Sequence, residues 1–148
     1  MRFVLAFAFA TLAIAPAAFA ATDKILDVQE MTALETRAAQ ASPKEQCFLY
    51  AELAHSMAEL ASQQFTAGQT AQASASLKAV QKYAEKIHMG VADDGKKLKN
   101  AEQLMRHTSY RLNDILNAAS YEDRQVLQST LKQLEQVQTE LMMQVFKK

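Results

Sequence analysis

Glu52-Leu53-Ala54-His55 is a Glu-x-x-His step, and on a helix it puts a carboxylate and an imidazole on one face. Helical bundles that hold two metal ions repeat this step and add two more inward Glu residues. Glu85-Lys86-Ile87-His88 has the same spacing, but Glu102 and His107, five residues apart, point in different directions. A mononuclear site would need His55, His88 and His107 to converge from three helical segments, with Glu52 as an oxygen ligand. The plainer expectation is three ordinary histidines near helix ends or interfaces.

Cys47 is the only cysteine, so no intramolecular disulfide can form. It falls in the second turn of an expected helix, where the dipole favours thiolate, but Phe48-Leu49-Tyr50 follow it. A buried, inert thiol is expected, with an intermolecular disulfide as the alternative. Lys78, Lys82, Lys86, Lys96, Lys97 and Lys99, with Arg106 and Arg111, face only Glu85, Asp93, Asp94 and Glu102 over residues 78–111. That stretch is a candidate surface for an anion or an acidic partner, set against the ordinary reading of a solvated face.

These residues need elements to position them. Residues 1–20 read as a secretory signal: Arg2, then an apolar run from Phe3 to Ile14, then Pro16 and Ala18-Phe19-Ala20 before the cut. The run is too short and too broken to anchor the chain in a bilayer, so no transmembrane segment is expected after cleavage. The expected location is the periplasm or the medium. Lys plus Arg and Asp plus Glu are 16 each, a balance that argues against nucleic acid as a partner. No Ser/His/Asp order, phosphate loop, haem Cys-x-x-Cys-His or zinc spacing is present, so catalysis is not expected and no cofactor is implied.

The remainder divides into an arm or docking helix over 21–41 and a bundle domain over 42–148. Ser42-Pro43-Lys44-Glu45 reads as a capping box with proline at the first helical position. The helix it starts runs over 43–66 and stops at Gly68, with Cys47, Tyr50, Ala54, Met57, Ala61 and Phe65 on one stripe and Leu49, Leu53 and Leu60 on another. Ala73, Leu77, Val80, Ala84 and Ile87 mark a second long helix over 70–88, and Leu98, Ala101, Met105, Thr108, Leu112, Ile115 and Ala119 a third over 96–119. Ser120 opens a fourth over 121–146, with Leu127, Leu131, Leu134, Gln138, Leu141 and Val145 as its seam. Matched lengths and short connections predict an all-α fold: an antiparallel, up-down four-helix bundle with a short N-terminal helix or arm. An open coiled coil dimerising through the last two helices is the alternative.

Leu60, Ala61, Gly68, Ala73 and Leu77 fall at a spacing that resembles one tetratricopeptide repeat, over about residues 54–87. Glu85 stands where the repeat has proline, and no second copy follows, although such repeats stack in threes or more. The resemblance implies protein binding without catalysis. The resulting expectation is an exported helical bundle that binds a protein partner or itself. A small metal-binding or redox bundle, and an extracytoplasmic chaperone, are the alternatives.

Overall fold

The computed structural model describes residues 26–89 and 95–146, with the side chains of residues 88 and 89 left out. The signal-peptide reading over residues 1–20 therefore lies outside the described residues, as do Asp93 and Asp94. Every element described is helical: α1 (Val28–Gln40), α2 (Pro43–Thr66), α3 (Thr70–Met89), α4 (Gly95–Leu116) and α5 (Tyr121–Phe146). The elements agree with the helical spacing in the sequence, except that α4 ends at Leu116 instead of near Ala119.

The caps fall differently from the expectation. At α2, Ser42 is the cap residue and Pro43 occupies the first turn, but the Ser42 side chain makes no capping hydrogen bond. The amide of Glu45 donates instead to the Ser42 carbonyl at 2.9 Å, and the Glu45 carboxylate reaches across to Lys97 Nζ at 3.2 Å. The tertiary ion pair has taken the residue that would close the box. A full capping box forms at α1: Glu30 N donates to Asp27 Oδ1 at 2.8 Å and Asp27 N to Glu30 Oε2 at 3.1 Å. Ser42→Ala is accordingly expected to change stability by less than about 0.5 kcal/mol in chemical denaturation, well below the ~1 kcal/mol of a working cap. α2 ends at Ala67, and Gly68 follows at φ +74°, a conformation that glycine adopts without a Cβ clash.

The packing shows two hairpins. α2 and α3 run antiparallel, as Gln64 beside Ser76 and Tyr50 beside Tyr83 require. α4 and α5 also run antiparallel, with Glu102 opposite Gln138. Between hairpins, α2 lies against α4 and α3 against α5, while the backbones of α3 and α4 are not neighbours among the described residues. Glu45 pairs with Lys97, His55 with Thr108 and Glu59 with Arg111, at chain separations of 52, 53 and 52 residues. A constant separation means that α2 and α4 run parallel. Adjacent helices are therefore antiparallel within each hairpin and parallel between hairpins.

Leu53, Leu77, Ile87, Met105, Leu112, Leu127 and Leu134 fill the centre. The seams read from spacing are mostly buried near the centre, while Met57, Phe65, Ile115, Ala119, Gln138 and Val145 are half-buried. Leu60 and Leu131 are only half-buried, and Thr130, next to Leu131, is fully buried instead. α1 packs on α2, with Ala38 as its buried residue. Among the described residues no helix is long and apolar enough to cross a membrane.

Candidate functional site

The seam between α2 and α4 gathers most of the chemistry-bearing side chains. Glu52, His55, Glu59 and Ser62 step by three and four along α2, so they share a stripe facing α4. At one end, Glu52 and His107 share a cleft of about 320 Å³ with Phe48, Asn100, Gln103 and Leu104. Arg37, from α1, stands 3.8 Å from the Glu52 carboxylate. Burial raises the Glu52 pKa, and Arg37 offsets this only in part.

One turn along, His55 Nδ1 lies 2.9 Å from Thr108 Oγ1. Thr108 donates its one hydroxyl proton to the Leu104 carbonyl at 2.8 Å, so its oxygen can only accept from His55. Nδ1 therefore carries the proton in this hydrogen bond. Further along, Arg111 Nε donates to Glu59 Oε2 at 3.1 Å, and the Glu59 side chain is 6% exposed. A second buried carboxylate, Glu102, is held by Arg106 at 2.6 Å and by Gln138 Nε2 at 3.3 Å.

The proposed metal residues are thus partly brought together. Glu52 and His107 line one cleft, His55 lies beside it bound to Thr108, and the His88 side chain lies outside the described residues. Among the described residues no group of three or more His, Cys, Asp or Glu side chains is arranged to hold a metal ion. Sequence reasoning passed over Glu59 and read Arg111 only as part of the basic stretch. The signal was there, since Glu59 continues the three-four step of Glu52 and His55.

A carboxylate whose folded-state pKa is raised favours folding at low pH, and that contribution is lost as pH rises through the folded-state value. Glu52→Gln should therefore stabilise the fold slightly at pH 7, by about a few tenths of a kcal/mol in chemical denaturation because the group is half exposed to solvent. The gain should shrink towards pH 4, and a variant less stable at pH 7 would show that Arg37 outweighs burial.

Cys47 is fully buried, and burial pushes its thiol up to about 11. The thiol is protonated at neutral pH and a poor nucleophile, whatever the dipole of α2 contributes.

The lysine surface is split. Lys78, Lys96 and Lys99 are exposed, whereas Lys82 donates to Glu35 of α1 at 3.1 Å and Lys86 lies 4.9 Å over the Tyr50 ring. Tyr50 stacks on Tyr83 with centroids 6.3 Å apart. The hydrogen bond from Lys82 holds the Glu35 carboxyl below its usual range, and burial with Glu35 nearby pushes Tyr83 up to about 12. Glu35 of α1 thus pairs with Lys82 in the middle of the stripe, while Lys78 and Lys99 stay exposed.

A second cleft, about 400 Å³, lies where both hairpin turns meet, with Phe65, Thr70, Arg111, Asp114 and Ser120 in its wall. Comparison of the chain with protein-family models, with curated proteins and with solved structures finds no match.

Proposed function

We propose that this protein is an exported, non-catalytic helical bundle that acts outside the cytoplasm by binding another macromolecule or a second copy of itself. The four long helices form one up-down bundle in this reading, with α3 and α4 at opposite corners. The observation that carries the reading is the set of large apolar side chains left uncovered: Val28, Tyr110, Tyr121, Met142, Met143 and Phe146. Folding alone gives no reason to keep so many exposed on a small domain. The groups that could do chemistry are engaged in packing, with Cys47 buried, His55 on Thr108 and Glu59 on Arg111.

The test places a photo-reactive residue at Tyr110, Tyr121 or Met143 in turn, with Lys132 as an exposed control. A discrete cross-linked product at one of the three, and none at Lys132, is the expected result. A transition metal at one equivalent in the purified protein, lost in His55→Ala, would instead establish the metal-binding alternative.

A further inference from the structure

The exposed apolar residues are not spread evenly. Met142, Met143 and Phe146 crowd the last turn of α5, at 42%, 60% and 77% exposure. α5 has 26 residues and its antiparallel neighbour α4 has 22. A short turn joins them at the far end, and with Glu102 opposite Gln138 the last turn of α5 comes level with the start of α4. The tip is therefore apolar, exposed and at the end of the bundle.

The end of the bundle around that tip is rich in lysine. Because α2 and α4 run parallel, their first turns lie together, bringing Lys44, Lys96, Lys97 and Lys99 to the same level. Lys86 of α3 is near, and among the described residues the acids at this end are Glu45, Glu85 and Glu140, of which Glu45 pairs with Lys97 and Glu140 is also engaged. Among the described residues Lys44 and Lys99 have no ion-pair partner, and both are exposed. The first turn of α4 carries no acid at all. Lysines at a helix N-terminus oppose the macrodipole, so helix stability does not account for them.

We propose that this end of the bundle docks on a bilayer that carries anionic lipid, with Met142, Met143 and Phe146 entering the headgroup region and Lys44 and Lys99 facing the lipid charge. The proposal rests on the interaction reading above and names its partner. Charge and area select this occupant. A second copy would bring the same lysines face to face. The three side chains expose on the order of 400 Å², about half of what each partner of a stable protein interface covers. A bilayer needs less, because a few apolar side chains and a few lysines suffice for reversible surface binding.

The experiment is co-sedimentation of the chain from residue 21 with vesicles of phosphatidylcholine, alone or mixed with phosphatidylglycerol. Binding to the mixed vesicles should be at least about tenfold tighter, since each lysine near a charged surface is worth about fivefold, and molar salt should abolish the difference. The double variant Met143→Ser/Phe146→Ser should lose about tenfold in binding to the mixed vesicles, and Lys44→Gln/Lys99→Gln should remove most of the preference for them. All four positions are exposed, so circular dichroism and melting should match the unmutated protein and confirm that folding is intact. Equal binding to both vesicle types, no binding to either, or binding untouched by the apolar variant overturns the proposal. A dimer in sedimentation equilibrium that Phe146→Ser dissolves assigns the tip to a second copy, and also overturns it. If vesicles do not bind but cross-links persist at Tyr110 or Tyr121, the bilayer is removed while the wider interaction reading stands.

Discussion

Leu112→Ala is expected to be among the most damaging single truncations in the chain, costing about 3–4 kcal/mol in chemical denaturation. Leu112 is fully buried on α4, among side chains drawn from all four long helices. Truncation removes the transfer free energy of the lost methyl groups and leaves a cavity that four packed helices cannot easily close. For a domain of this size the melting temperature should fall by roughly 10–20 °C. Leu131→Ala is the matched control. Spacing alone ranks the two leucines together, but Leu131 is half-buried and lines an open cleft with Tyr110 and Gln138. Its loss should cost about 1 kcal/mol, because solvent already reaches the site. Equal effects at the two positions would contradict the orientation of α5.

Arg111→Ala is expected to cost about 3 kcal/mol, although Arg111 itself is half exposed. The cost arises at Glu59, which is buried at 4% residue exposure and takes its ion pair from Arg111. Removing one partner of such a pair strands the other charge in a poorly hydrated place, which is far more costly than the net value of the pair. The double variant Glu59→Met/Arg111→Met should recover most of the loss, because it removes both charges and keeps their volume. A thermodynamic cycle through Glu59→Met, Arg111→Met and the double variant measures this directly. An Arg111→Ala effect below about 0.5 kcal/mol would mean that water reaches Glu59 freely.

The same ion pair bears on how the hairpins are arranged. Glu45–Lys97 and Glu59–Arg111 can form together only if α2 and α4 run side by side in one direction. Gln81 does similar work between α3 and α5, donating to Thr130 Oγ1 at 2.8 Å and accepting from Gln133 at 3.0 Å through its carbonyl. Polar contacts therefore stitch the hairpins together, around a core that is apolar.

What the sequence determined by itself is the helices and their inward faces. Ala73, Leu77, Val80, Ala84 and Ile87 recur at three and four residues, and each is buried in α3. Pro43 and Gly68 bracket α2 because one has no amide to lose in a first turn and the other tolerates a positive φ. Such features act within a few residues, so spacing alone reveals them. Whether Ser42 caps its helix was not legible, because the alternative partner of Glu45 is Lys97, distant in the chain. Nor was the choice between Leu131 and Thr130 as the buried residue, which depends on how α5 is rotated against α3 and α4. Only the tertiary structure decided that α4 lies beside α2 instead of α3, and that Glu52 and His107 share a cleft. Those outcomes depend on which helical faces are complementary across fifty residues of chain, a free-energy comparison that no local spacing contains.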